Sequence, residues 1–302
     1  MSLQPGTRSF TADLAAMMRA AHLMMDDEPK ILDDKFALKL CGIPDSATFH
    51  TAMAGMEQNL SSKFPNLPVK TILEAVRSGI IVRSRIAEQR LIEAIERGIS
   101  QYVILGAGLD SSAYRLAEVA NKLHVFEVDF PATQQWKLAR LKDVDPQLLN
   151  LATFVSVDFE KESLFERLTQ NGFDPAKPTF FSWLGVVWYL SDEAIFTTLE
   201  NITSLECDSE VVFEYPVTTE LVYPADRQVM EMLTQTGAER GEPFRAGFDP
   251  VDLTRRVKGL GFDTVEDLSP ARMQELYFEN RADNLRMPGI GHFMSARRTC
   301  AR

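Results

Sequence analysis

The chain has 302 residues, 45% of them hydrophobic, which is enough to bury a sizeable core in one large α/β unit or two small ones. Its formal charge of -11 repels phosphate backbones and anionic lipid, and basic clusters as short as Arg83-Ser84-Arg85 and Arg297-Arg298 do not offset it, so neither nucleic acid nor a membrane is expected as a partner. Three widely spaced cysteines (Cys41, Cys207, Cys300) and four scattered histidines supply no disulfide framework and no metal site, and with no bilayer-length apolar run or signal-like start the sequence predicts a cytoplasmic chain with free thiols.

Over 10–40, apolar residues recur at helical spacing (Leu14, Met17, Met18, Ala21, Met24, Met25), and Asp33-Asp34 precedes a second short helical pattern. Another helix is predicted over 69–98, carried by Ile72, Val76, Ile80, Ile86, Leu91 and Ile95 and capped by Gly98. Residues 1–98 thus read as a helical extension or lid. Short apolar runs at 102–105, 124–128, 153–157, 179–184 and 210–215 then alternate with helical segments, which predicts a parallel sheet covered on both faces. Two further strand-like stretches, 263–267 and 291–296, flank a helical one and would complete the sheet edge, one of them antiparallel. An insertion at about 216–247 follows a strand end, where ligands of open α/β sheets bind, so it and the N-terminal helices are placed to form a lid. One domain over 1–302, with a core over 99–302, is the expectation.

The most informative stretch is Leu105-Gly106-Ala107-Gly108-Leu109-Asp110. A strand runs straight into a turn in which Gly106 permits a sharp bend and Gly108 lets a ligand approach the main chain, and a helix is predicted to begin near Ser111 or Ser112 with unpaired N–H groups. About 20 residues on, the next strand ends in Asp129, where the ribose hydroxyls of an adenosine ligand need an acceptor. Glu127, on the same side of an alternating strand, is the fallback. The third strand ends at Asp158-Phe159, a carboxylate for an adenine amino group and an apolar surface for its ring. A nicotinamide dehydrogenase shares the first two features. The turn lacks a third glycine, however, and an acid-terminated third strand suits a pocket that stops at adenosine.

Several segments together resemble the leucine carboxyl methyltransferase family, in particular a bacterial branch of class I methyltransferases found with polyketide pathways. These are Ser9-Phe10-Thr11-Ala12, Arg83-Ser84-Arg85, QYVILGAGLDSSAYR at 101–115, VFEVDFPATQQWKLARL at 125–141, SWLGVVWYL at 182–190, and the C-terminal GEPF and YFENRADNLR. The resemblance implies a Rossmann-like class I fold with a mostly parallel seven-stranded sheet and S-adenosyl-L-methionine as cofactor. It implies that Arg83 pairs with the methionyl carboxylate, that Gly106, Ala107 and Gly108 line the cofactor, that Asp129 holds the ribose and that Asp158 and Phe159 frame the adenine. Arg85 is the alternative to Arg83. Family members that act on proteins carry a glutamate where this chain has Leu184, which also lines the cofactor, so a protein substrate is not implied.

Methyl transfer from an activated sulfonium requires alignment and exclusion of water. A hydroxyl acceptor would benefit from a base, and Tyr189, Tyr215, Glu214 and His292 are the titratable candidates by strand position, without a clear choice among them. Trp183 and Trp188 flank the fourth strand end, as pocket walls or as core filling. Seven of the twelve methionines fall within the first 56 residues, a spacing that helical core packing explains better than a malleable pocket wall. The expected function is O-methylation of a small-molecule carboxylate or hydroxyl in secondary metabolism; the alternatives are a cofactor-binding protein without turnover and, third, the dehydrogenase.

Overall fold

The computed structural model describes residues 9–120, 122–158, 161–245 and 247–300. Its elements, in chain order, are α1 (Phe10–Met25), α2 (Ala37–Leu40), α3 (Ser46–Lys63), α4 (Val69–Glu96), β1 (Gln101–Leu105), α5 (Ser112–Arg115), α6 (Ala117–Ala120), β2 (His124–Asp129), α7 (Pro131–Val144), β3 (Thr153–Ser156), α8 (Leu164–Gln170), β4 (Thr179–Trp183), α9 (Asp192–Thr203), β5 (Ser209–Pro216), α10 (Arg227–Glu239), α11 (Pro250–Gly259), β6 (Thr264–Leu268), α12 (Pro270–Tyr277) and β7 (Gly291–Arg298).

The strands form one seven-stranded sheet in the order β3-β2-β1-β4-β5-β7-β6. All neighbours are parallel except those of β7, which runs antiparallel to both β5 and β6. Every residue of β1, β4 and β5 is buried, because helices cover both faces and alternation with polar residues is not required. Successive residues nonetheless serve different cores: Tyr102, Ile104, Phe180, Val212 and Phe293 pack on one face, and Val103, Leu105, Phe181, Phe213 and Met294 on the other. A third cluster joins α1, α3, α4 and α10 through Met18, Phe49, Ile72, Val229 and Met232. The early methionines belong to this helical packing: Met18 and Met53 are buried in it, and Met17, Met24 and Met56 lie against it. α4 spans two clusters, with Ile72 and Leu73 in the helical one and Ile86 and Leu91 under the sheet.

From β1 the chain steps outward to β2 and β3, then returns to the other side of β1 to make β4. The crevice at the carboxyl end of β1 is therefore the switch point at which such sheets bind ligands. The helix expected after the glycine turn does start at Ser112, but it is four residues long and is followed by a second short turn, α6. Its first N–H group is not free, since Asp110 Oδ1 accepts from the Ser112 N–H at 2.7 Å and from the Ser112 hydroxyl at 2.5 Å. Among the described residues, no helix is long and apolar enough to cross a membrane. Cys41, Cys207 and Cys300 are all free, and burial pushes the Cys41 thiol up to about 12.

Candidate active site

A cavity of about 350 Å³ opens over the carboxyl ends of the strands, within the size range of small-molecule sites. Gly106, Ala107 and Gly108 form its floor at the end of β1. Gly106 has φ +66°, and a Cβ there would meet Val186 Cγ2 at 2.3 Å. Substitution therefore combines left-handed backbone strain with a clash against a β-branched side chain. Gly106→Ala is expected to lose about 2–5 kcal/mol of stability, the sum of those two costs. Thermal unfolding checks this, and an unchanged midpoint would show that the turn has room.

Asp129 reaches back from the end of β2 to close the turn. Its Oδ2 accepts from the Gly108 N–H and its Oδ1 from the Phe130 N–H at 2.6 Å. Burial pushes its carboxyl up to about 6 despite those two bonds, which favour the charged form. Glu127, the fallback, does not line the cavity. It sits two residues, roughly 6–7 Å, deeper along β2, where it pairs with Lys137 Nζ at 2.6 Å and accepts from the Tyr114 hydroxyl at 2.7 Å. Asp158, just past β3, lines the cavity and pairs with Lys161 at 2.8 Å. Phe159 lies outside the described residues.

Beyond the turn, α4 presents Arg83 to the cavity, whereas Arg85, two residues on and roughly 200° around the helix, does not line it. Arg83 Nη1 donates to Glu214 Oε1 at 2.7 Å, and the same oxygen accepts from the Gly185 N–H at 2.6 Å. Gly185 is required here: it has φ +73°, and a Cβ would come within 2.8 Å of Arg83 Nη2. Glu214 is 8% exposed, and its Oε2 is buried with no hydrogen-bond partner among the described residues. Trp183 pairs with Phe213 across β4 and β5, so Glu214 stands one step further along, opposite Leu184. Glu214 of the adjacent strand therefore brings a carboxylate beside Leu184, and both line the cavity. Only the β4–β5 register reveals this juxtaposition.

The remaining candidates separate by face. Tyr215 is buried and does not line the cavity; it points to the side opposite Glu214 and donates to Asp267 Oδ1 at 2.5 Å. This corrects its candidacy as a base, and burial beside Asp267 pushes its phenol further up. Tyr189 lines the cavity against Phe244 with its hydroxyl pushed up by burial, so it keeps its proton. His292 lines the cavity with Nδ1 2.7 Å from Asp267 Oδ2. Trp188 is a wall residue, while Trp183 is core filling. The methionines of the wall are Met273 and Met287, not the early ones.

The roof comes from α1 and the segment around α10. Glu242 accepts from the Thr11 N–H at 3.2 Å, and the Arg240 guanidinium lies 3.9 Å from the centre of the Phe10 ring. These contacts join the N-terminal helix to the insertion directly above the glycine turn.

A parallel sheet with its switch point at a glycine turn, completed by an antiparallel β7 inserted between β5 and β6, is the class I methyltransferase fold. The sequence pattern of leucine carboxyl methyltransferases matches residues 12–203, and the chain belongs to that family and is a methyltransferase. It is 32% identical over 297 residues to YktD of Bacillus subtilis (strain 168), provisionally named an S-adenosyl-L-methionine-dependent methyltransferase, covering 95% of this chain and 97% of that protein. A protein of Mycobacterium bovis (strain BCG / Pasteur 1173P2) with the same provisional name is 31% identical over 257 residues, 84% of this chain and 73% of its own. Among solved structures, a provisionally described methyltransferase from Thermobifida fusca YX superposes with a TM-score of 0.56 at 14% identity, covering 97% of this chain and 96% of that one. A duf574 family protein from Streptomyces avermitilis follows at 0.50 and 15%, with 96% and 98% covered.

Proposed function

We propose that this methyltransferase transfers the methyl group of S-adenosylmethionine to an oxygen of a small apolar acceptor, a hydroxyl or a carboxylate, as a step of secondary metabolism. One observation carries the reading: a glycine floor closed by Asp129 shares a single cavity with a paired arginine and carboxylate at its other end. The residues present fit the donor. Asp129 accepts from the ribose hydroxyls, and Asp158 takes the adenine amino group. Arg83 pairs with the methionyl carboxylate, and the unpartnered Glu214 Oε2 accepts from the methionyl ammonium. Bound there, S-adenosylmethionine supplies a methyl carbon already activated by its positive sulfur. The chain's part is to hold both reactants in line and exclude water.

Trp188, Tyr189, Phe244, Met287, Pro288 and Ile290 line the cavity and suit an apolar acceptor skeleton. A dinucleotide is disfavoured because Asp110 occupies the helix start at which a pyrophosphate would sit. We place the reaction in the cytoplasm, on the support of three free cysteines.

Calorimetry with S-adenosylmethionine and S-adenosylhomocysteine, followed by assay of S-adenosylhomocysteine formed with phenols and carboxylic acids, tests the proposal. Saturable heats and turnover are expected. No heat with either ligand, or heat without turnover of any acceptor, would overturn it.

A further inference from the structure

We propose that Gly79 of α4 sets acceptor specificity: the side chain it lacks leaves room for an apolar tail on the acceptor, an alkyl chain or a second ring. The inference rests on the methyl-transfer reading above and specifies the shape of its acceptor.

Gly79 stands in the interior of a 28-residue helix, where glycine gives up more conformational freedom on folding than alanine does and weakens the helix. Neither backbone nor packing accounts for it. Its backbone is helical, a conformation that alanine adopts more readily. A Cβ at this position would meet a single atom within 4 Å, Pro288 Cγ at 3.7 Å, which is ordinary van der Waals contact. Gly79 and Pro288 both line the cavity, so the gap between them is part of it.

Two other helical glycines provide the contrast. Gly237 of α10 also lines the cavity, but a Cβ there would lie 2.6 Å from the Glu242 carbonyl oxygen, so close packing excludes a side chain. Gly55 of α3 has open space where a Cβ would stand, yet it does not line the cavity. Of the three, Gly79 alone combines free space with a place in the wall.

The gap belongs to the acceptor rather than the donor. Gly79 precedes Arg83 by four residues, so it shares a face of α4 with it and lies about 6 Å nearer the helix N-terminus. From Arg83 the helix runs one way under the sheet, with Ile86 and Leu91, and the other way into the helical cluster, with Ile72 and Leu73. Gly79 is on the second side, one turn past the arginine that takes the methionyl carboxylate. The wall there is apolar: Val76, Ile80, Trp188 and Ile290 line the cavity and belong to one buried cluster. Such a surface offers nothing to the donor's charged and hydroxyl groups, whereas an apolar tail gains by leaving water for it.

The facing wall is fixed. On either side of Pro288, the Met287 N–H donates to Gln274 Oε1 at 2.8 Å and the Gly289 N–H to Oδ2 of the buried Asp226 at 2.8 Å. A larger side chain at position 79 therefore fills the gap instead of displacing Pro288.

The test uses the full-length wild type, Gly79→Ala, Gly79→Leu and, as a control away from the cavity, Gly55→Leu. The acceptors are 4-methylphenol and 4-pentylphenol, with butanoate and decanoate, as short and long members of each pair. In Gly79→Leu the ratio of kcat/KM for the long acceptor to that for the short one is expected to fall about 10–200-fold, the discrimination an apolar pocket draws from a methylene. S-adenosylhomocysteine affinity is expected to stay within about threefold. Gly55→Leu should leave the ratio within about twofold of wild type. Gly79→Ala should raise Tm by about 1–2 °C through helix propensity. In wild type loaded with S-adenosylhomocysteine, the glycine amide NMR resonance missing from Gly79→Ala should shift when 4-pentylphenol or decanoate is added. A ratio in Gly79→Leu within twofold of wild type, a lower Tm in Gly79→Ala, or a Gly79 amide unmoved by both long acceptors would overturn the proposal while leaving methyl transfer intact. Absence of turnover with every acceptor would instead remove the reading on which it rests.

Discussion

Asp129→Ala is expected to weaken S-adenosylhomocysteine binding by at least about 100-fold, because two ribose hydroxyls lose a charged acceptor at about 1.5–3 kcal/mol each. The fold should survive. The burial that lifts this carboxyl to about 6 makes its ionised form unfavourable in the empty protein, which offsets loss of the bonds from Gly108 and Phe130. The same shift gives two opposite pH dependences. A carboxyl with a raised folded-state value stabilises the empty chain at acid pH, and that contribution is lost as pH rises from about 4 through about 6. Donor binding needs the ionised form, so affinity is full above about 6 and falls about tenfold for each pH unit below it. Calorimetry from pH 5 to 8 on wild type and Asp129→Ala checks both statements. A variant affinity within threefold of wild type, or a flat wild-type profile, would separate Asp129 from the ligand.

Much of this site was legible in the sequence because it depends on local order. A strand that ends in Gly106-Ala107-Gly108 and a next strand that ends in Asp129 must converge in a parallel sheet, whatever surrounds them. The resemblance added Arg83, which periodicity alone leaves undistinguished from a solvated helix face. Glu214 was among the possible bases, but its pairing with Arg83 requires the β4–β5 register and the rotation of α4 together. Asp267 was not singled out at all. It gains meaning only when the antiparallel β7 sets His292 beside it, a relation between residues 25 apart. Glu127 shows the converse limit: alternation gives its face correctly, yet depth along the strand decides whether a carboxylate meets a ligand or a lysine.

That lysine is where a large effect on stability is expected. Lys137 of α7 and Glu127 of β2 form an ion pair at 2.6 Å with side-chain exposures of only 2% and 1%. Lys137→Met removes one charge and leaves the other buried with the Tyr114 hydroxyl alone, a loss of about 3–5 kcal/mol. For a chain of this size that is a fall on the order of 10 °C in Tm. Burial already raises the Glu127 carboxyl, and without Lys137 it rises further. A raised folded-state value stabilises below the unfolded value and loses that stability as pH rises, so the variant should be nearer wild type at pH 4 than at pH 8. Replacing both residues, as Glu127→Gln with Lys137→Met, should restore much of the loss, because no uncompensated charge remains. Additive losses in the double variant, or a Lys137→Met midpoint within 2 °C of wild type, would show the pair to be inert. The consequence reaches the site through Asp129, two residues along β2, whose carboxyl the Lys137 ammonium helps to hold down. Without that charge the Asp129 value climbs above about 6, and the pH below which the donor is released climbs with it. A stability lesion under the sheet is therefore expected to appear as an alkaline displacement of the binding profile, measurable by the same calorimetry at temperatures well below the lowered Tm.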